Sequence, residues 1–118
     1  MKYLCLIFID EKQYDALPQS EQDARVNEHL AYDEELRNNG YLIATEALQS
    51  VKTATTVRVQ NGKLSTTDGP FAGTKEQLGG FYLIEARDLN DAIRIASKIP
   101  SARLGSIEVR PILDLNPR

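Results

Sequence analysis

Residues 67–86 read TDGPFAGTKEQLGGFYLIEA and join a turn, a loop of small residues, a double glycine and an apolar strand. The strand at 79–86 has apolar side chains on both of its faces, which is typical of a strand that is covered on both sides. Residues 2–9, KYLCLIFI, have the same two-faced pattern. We therefore expect these two strands to belong to a sheet with an apolar layer on each face.

Two other segments have the pattern of helices. Residues 18–40 offer Ser20 as a candidate N-cap and Gly40 as the C-terminal stop. Residues 88–100 begin with a capping Asp88 and end at a proline. The second helix has an apolar stripe at positions i, i+3, i+4 and i+7, formed by Leu89, Ala92, Ile93 and Ala96.

The clearest local signal is a hairpin at about 54–68. Asn61-Gly62 lies between two alternating segments, and both positions of a two-residue hairpin turn favour positive φ. The register predicts two cross-strand pairs on one face: Val59 with Leu64, and Val57 with Thr66.

Further strands at 41–48 and 106–113 complete the element order β-α-β-β-β-α-β, and Pro111 indicates an edge or an end for the last strand. This order predicts an α+β, ferredoxin-like sandwich with an inserted hairpin, in a single domain over 1–118. Two helices can cover only one face of such a sheet. We expect a second copy of the chain to bury the other face in a homodimer, the alternative being that the C-terminal tail folds across it.

Composition excludes several classes of protein. The 118-residue chain has a net charge of −3, and its basic residues are scattered, which argues against a nucleic-acid partner. Its apolar runs are too short to cross a membrane. Cys5 is the only cysteine, so there is neither a disulfide framework nor a thiol-based metal cluster to build. With no nucleotide-binding or metalloprotease motif in the sequence, we expect a cytoplasmic protein that uses no metal and no cofactor.

His29 is the only histidine, and Asp33 follows it by about one turn on the same flank of the predicted first helix. A carboxylate at i+4 can hold the imidazole in one tautomer, as a general acid/base requires. The alternative is a salt bridge on the helix surface or a half-buried structural histidine.

The loop that follows Asp68 combines a cationic side chain with glycine backbone, which a ligand can approach closely. Five residues are expected to contact a small-molecule ligand: Thr74, Lys75, Glu76, Gly79 and Gly80. The preceding Asp-Gly-Pro-Phe is expected to be architectural, with the aspartate capping the turn and Phe71 burying its ring. A buried ring predicts a loss of about 3 to 5 kcal/mol for Phe71→Ala. The alternative is a purely structural turn followed by a bulge.

Taken together, these residues resemble the YCII-related family in its DGPF subgroup. The resemblance covers nearly the whole chain and depends on the signature Asp68–Phe71, Lys75-Glu76 and Gly79–Phe81. It implies a dimeric, ferredoxin-like α/β barrel and a family whose activity is largely uncharacterised. A His/Asp-centred active site has been proposed for shorter relatives, and the resemblance assigns its histidine to His29.

The aspartate of those relatives belongs to an Asp-Pro dipeptide, where this chain has Ile99-Pro100. Asp68 or Asp33 would have to take its place. The sequence thus leaves two functions open. One is a small enzyme that uses His29 as general acid/base in lyase, isomerase or hydrolase chemistry. The other is a non-catalytic ligand-binding or regulatory dimer, for which the resemblance implies a link to sigma-factor-dependent transcription.

Overall fold

The computed structural model describes residues 1–116 of the chain. Two short 3₁₀ helices, Val51–Thr53 and Pro100–Arg103, occur in addition to the strands and α-helices. In chain order the latter are β1 (Lys2–Ile9), α1 (Glu11–Asp15), α2 (Gln19–Asn38), β2 (Leu42–Ala47), β3 (Thr55–Gln60), β4 (Lys63–Asp68), β5 (Gln77–Glu85), α3 (Leu89–Ser97) and β6 (Ser106–Pro111).

Strand β1 lies inside a four-stranded antiparallel sheet with the order β2-β5-β1-β6. Strand β6 is at the edge of this sheet, as Pro111 predicts, because a proline cannot donate a hydrogen bond to a further strand. The α+β class is confirmed, and the strand order is compatible with a ferredoxin-like fold.

The hairpin forms a separate two-stranded sheet of β3 and β4. Asn61 and Gly62 have φ angles of 52° and 75°, as the hairpin turn requires. The predicted register is confirmed, since the cross-strand pairs are Val57 with Thr66 and Val59 with Leu64. The local sequence therefore determines both the turn and the register of this element.

The core lies between the four-stranded sheet and the two longer helices. Alternate residues of β1 and β5 are buried in it, namely Tyr3, Cys5, Ile7, Tyr82 and Ile84. Helices α2 and α3 add Leu36, Ala92, Ile95 and Ala96. The intervening residues of the two strands form the opposite face and are half-buried: Leu4, Leu6, Phe8, Phe81 and Leu83. The two-faced apolar pattern is present, and the second copy predicted to cover the outer face stays a prediction.

Helix α2 begins two residues earlier than expected. Gln19 is its first residue and Pro18 its N-cap, without a side-chain hydrogen bond, so the prediction of Ser20 as N-cap was wrong. Proline's fixed φ suits a helix start, and its missing N–H is not needed there. Gly40 follows the C-cap with φ 78°, which confirms it as the stop. Asp88 caps α3, as predicted.

The apolar stripe predicted for α3 was wrong at two of its four positions. Leu89 and Ile93 are each 49% exposed. The buried residues of α3 are Asp91, Ala92, Ile95 and Ala96. Asp91 turns inward because it accepts hydrogen bonds from the backbone amide of Arg87 at 3.0 Å and from the Arg94 guanidinium at 2.7 Å. Because this carboxylate is buried, the inner face of α3 includes Asp91 and Ile95 instead of Leu89 and Ile93.

Candidate active site

The side of α2 that faces the sheet is polar over its middle turns, from Arg25 to Asp33. Arg25, His29 and Asp33 follow one another at intervals of about one turn, and all three are half-buried. Leu36, near the end of the helix, is the residue of α2 that is buried in the core. Polar groups on the inner side of a helix are costly unless they have partners, so these middle turns of α2 mark a candidate site.

Both ring nitrogens of His29 have a hydroxyl partner. Nδ1 is 3.0 Å from the phenolic oxygen of Tyr82 on β5. Nε2 is 2.8 Å from Oγ of Ser101, in the 3₁₀ helix that precedes β6. The Tyr82 hydroxyl in turn donates a hydrogen bond to Oδ1 of Asp33. The result is a row of four groups, Ser101–His29–Tyr82–Asp33, which we call the polar row.

The direction of the hydrogen bonds in the polar row follows from its last member. An ionised carboxylate can only accept, so Tyr82 is the donor of the hydrogen bond between its hydroxyl and Asp33. The Tyr82 oxygen is then an acceptor for His29, which places the imidazole proton on Nδ1. Nε2 is left as an acceptor, and Ser101 donates its hydroxyl proton to it. The arrangement leaves an unprotonated Nε2 directed at a hydroxyl group.

Burial sets the protonation states of the row. Desolvation lowers the pKa of His29 below its ordinary value, and the nearby charge of Asp33 opposes this shift in part. Desolvation and the hydrogen bond to Asp33 raise the pKa of Tyr82 far above its ordinary range. At neutral pH the imidazole is therefore uncharged and the phenol is protonated, which is the state in which His29 can act as a base.

A cavity of about 410 Å³ lies beside the polar row, between α2 and the sheet. The polar row, Arg25, Gly79 and Gly80 line it together with apolar side chains. A Cβ on Gly80 would stand 2.7 Å from the carbonyl oxygen of Glu46, closer than such contacts allow. A glycine is thus required at this point for β2 to pair closely with β5.

The structure brings together four of the residues expected from the sequence: His29, Asp33, Gly79 and Gly80 all line this cavity. Asp68 lies at the end of β4, in the hairpin sheet, and is exposed. It is not among the residues that line the cavity. Of the two candidate aspartates, the one that the fold brings to His29 is Asp33, and its contact passes through the hydroxyl of Tyr82.

The loop before β5, residues 69–76, does not line the cavity of the polar row. Thr74 lines a second cavity, of about 970 Å³, between the hairpin and Phe8 on the outer face of the sheet. Lys75 is exposed, and Glu76 accepts a hydrogen bond of 2.8 Å from Ser106. Lys75 and Glu76 line neither the cavity of the polar row nor this larger one. Their predicted contacts with a ligand stay predictions.

Phe71 does not anchor its loop within the chain. Its ring is 80% exposed, so the prediction that it is buried was wrong. The loop is held instead by hydrogen bonds of the Gly69 backbone. Its amide donates to the carbonyl oxygen of Ala54 at 2.7 Å, and its carbonyl oxygen accepts from the hydroxyl of Thr56 at 2.8 Å. In the described residues 1–116 the carboxylate of Asp68 accepts no hydrogen bond, so the turn-capping role predicted for it was wrong as well.

Sequence reasoning missed Tyr82 and Ser101. A signal existed for Tyr82, since the alternation of β5 places it on the same face as Ile84, and the hydroxyl of a buried tyrosine needs a partner. Ser101 gave no such signal because it follows α3 in a segment without periodicity. Its place beside His29 depends on how the loop packs against α2.

These features define a class of protein, an antiparallel α+β domain with a histidine-centred polar cavity between a helix and its sheet. The particular family follows from comparison with known proteins, because residues 1–116 match the YCII-related domain. The chain belongs to the YCII-related family. It is also 35% identical, over 114 residues, to an uncharacterised protein of Rhizobium meliloti (strain 1021), with 95% of this chain and 92% of that relative covered.

Two further properties concern the described part of the chain. Within residues 1–116, none of the helices combines the length and the apolar character needed to span a membrane. The same residues contain no group of three or more His, Cys, Asp and Glu side chains placed to bind a metal ion.

Proposed function

We propose that the protein is a small-molecule enzyme of the cytoplasm in which His29 is the general acid/base. The observation that carries this proposal is the polar row, in which hydrogen bonds donated from His29 to Tyr82 and from Tyr82 to Asp33 leave Nε2 of His29 unprotonated. A base held in one tautomer, uncharged at neutral pH and open to a cavity is suited to proton transfer.

The size of the cavity limits the substrate to a small organic molecule. A volume of about 410 Å³ is within the range of ligand pockets. Proton transfer by one histidine is compatible with lyase, isomerase or hydrolase chemistry, and the proposed reaction uses no metal and no cofactor. Asp33 acts as a positioning residue, since it reaches His29 only through Tyr82.

Titration of His29 by NMR tests this proposal. We expect a pKa below about 6.5 in the native protein. Asp33→Asn should lower the pKa further, because it removes a charge that favours the imidazolium. Asp68→Asn is the matched control and should leave the pKa unchanged. A native titration like that of a solvent-exposed histidine, with no response to Asp33→Asn, would contradict the proposed base.

We also propose that the chain belongs to the DGPF subgroup, on the strength of its signature at 68–81, and that two copies form the family's α/β barrel. The physical argument is the outer face of the sheet, where Leu4, Leu6 and Phe81 are half-buried in the single chain. A second copy packed on that face would remove its apolar area from water. Sedimentation at micromolar concentration should give a dimer, and a stable monomer would contradict this assembly.

The second candidate function is a ligand-binding or regulatory dimer, including a role in sigma-factor-linked transcription. The larger cavity favours it, because its lining includes Val57, Thr74 and Leu78 and contains none of the polar row. A thermal-shift screen of metabolites distinguishes the two functions. A ligand whose stabilisation is lost in Val57→Asp but kept in His29→Gln would favour the binder, and the reverse pattern would favour the enzyme.

A further inference from the structure

We propose that Ser101 is a nucleophile, and that the protein transfers the acyl group of a small ester first to Ser101 and then to water. The inference rests on the proposed role of His29 as a base and adds a covalent step to it. It is carried by the position of the Ser101 hydroxyl, which is hydrogen-bonded to Nε2 of His29 and lines the same cavity.

The backbone holds Ser101 in place from both sides. It follows the fully buried Ile99 and the buried Pro100. Its carbonyl accepts hydrogen bonds from the amides of Leu104 at 3.0 Å and Gly105 at 2.9 Å. A Cβ on Gly105 would stand 2.1 Å from a backbone oxygen of β1, so this turn is packed directly against the sheet. A side chain on such a turn needs little reorganisation before it reacts.

The polar row contains the three parts that activate a hydroxyl nucleophile. A serine lies within hydrogen-bond distance of a base, and the base is oriented by a third group, here the Tyr82–Asp33 pair. The same roles are filled by serine, histidine and aspartate in hydrolases of unrelated folds, where geometry rather than chain order identifies them. In this chain the difference is that a phenol lies between the histidine and the carboxylate.

The chemical steps balance with water as the second reactant. Oγ of Ser101 attacks the ester carbonyl, and its proton passes to Nε2 of His29. The Oγ–carbon bond forms, the bond to the alcohol oxygen breaks, and Nε2 returns the proton to the departing alcohol. Water then attacks the acyl-Ser101 ester, giving one proton to Nε2, and the carboxylic acid leaves as Oγ regains that proton.

The lining of the cavity indicates the class of ester. Ile7, Val26, Leu30 and Leu104 provide apolar surface for a small acyl chain. Arg25 adds a guanidinium to the same lining, with Nη1 paired to Glu28 at 2.7 Å and Nε buried without a partner among the described residues. A free N–H of a guanidinium held in this way can stabilise the negative charge that develops on a carbonyl oxygen during attack. We therefore expect esters of short, uncharged acids rather than large or highly charged substrates.

The first test replaces the hydroxyl by a thiol and needs no knowledge of the substrate. Cys5 is 0% exposed, and burial raises its pKa to about 11, so the native thiol should react very little with an alkylating reagent. In Ser101→Cys, alkylation by iodoacetamide should titrate below about 7.5, as expected for a thiol beside a base. Ser65→Cys, on the exposed hairpin, is the control and should titrate near about 8.5. Equal pH profiles of the two variants would overturn the inference.

The second test uses the native serine. Diisopropyl fluorophosphate should add one label per chain, located at Ser101 by peptide mass spectrometry. The labelling rate should fall at least tenfold in His29→Gln and stay unchanged in Ser65→Ala. Labelling of Ser101 no faster than of other serines would overturn the nucleophile. If His29 still titrates as proposed above, that result leaves the acid/base function intact, and an ordinary titration of His29 refutes the acid/base function itself.

Discussion

Removal of one oxygen atom from Tyr82 gives a quantitative test of the polar row. Tyr82→Phe keeps the ring, which is 2% exposed and part of the core, and deletes the hydroxyl that donates to Asp33. A hydrogen bond to a charged group contributes about 1.5 to 3 kcal/mol to stability. The coupling between the two side chains should therefore be of that order.

A double-mutant cycle isolates this coupling from other effects of each substitution. The free energy of unfolding is measured by urea denaturation for the native chain, Tyr82→Phe, Asp33→Asn and the double variant, at one protein concentration. The control cycle uses Tyr32→Phe in place of Tyr82→Phe. Tyr32 is the neighbour of Asp33 on α2, but its hydroxyl donates to the carbonyl oxygen of Ile95 at 2.6 Å and not to Asp33, so its coupling to Asp33 should be clearly smaller than that of Tyr82.

Additivity within about 0.5 kcal/mol for Tyr82→Phe and Asp33→Asn would refute the reasoning. Such a result would mean that the hydroxyl and the carboxylate do not interact strongly in solution. The proton on Nδ1 of His29 would then lack the acceptor that keeps it there, and the proposed base would lose its orientation.

Three further predictions concern stability. Burial lowers the pKa of His29, so as the pH decreases the unfolded chain binds a proton at a higher pH than the folded chain does. The free energy of unfolding should therefore fall as the pH decreases through about 6.5. The fall should be smaller in His29→Gln, as measured by urea denaturation at pH 8 and 5.5. Gly80→Ala should cost about 1 to 3 kcal/mol by overpacking, whereas Gly73→Ala, with open space around its Cβ, should stay within about 0.5 kcal/mol in thermal melts. Phe71→Ala should also stay within about 0.5 kcal/mol, because the ring is 80% exposed. A loss of 3 kcal/mol or more would show that another chain buries the ring.

Local features of the fold could be predicted from the sequence because their causes are local. The hairpin follows from the conformations that Asn61 and Gly62 favour, and its register follows from the turn length. The two-faced pattern of β1 predicted that one of its sides would pack against helices. The error at Ser20 is also local, since both Pro18 and Ser20 are suitable residues for the N-terminal boundary of α2.

The candidate site could be predicted only in part. His29 and Asp33 lie on one helix, so their spacing indicated a pair. Tyr82 is 53 residues from His29 in the chain, and Ser101 is 72 residues away. Their contacts exist only after α2 packs over β5 and the turn before β6 closes on β1. Such packing cannot be predicted from a periodic pattern in the sequence. The prediction for Phe71 was wrong for the same reason, because the burial of its ring depends on which residues contact an exposed loop.

The direction of the hydrogen bonds in the polar row depends on its last member, Asp33. Each of Ser101, His29 and Tyr82 can both donate and accept, so the two hydrogen bonds among them could run either way. Asp33 as a carboxylate can only accept, and it therefore directs every bond of the row toward itself. The consequence appears at the other end, where Nε2 of His29 must accept the proton of Ser101. The i, i+4 spacing of His29 and Asp33 thus matters even though the two side chains interact through the Tyr82 hydroxyl. It places the carboxylate that sets the direction of the hydrogen bonds one turn from the proposed base.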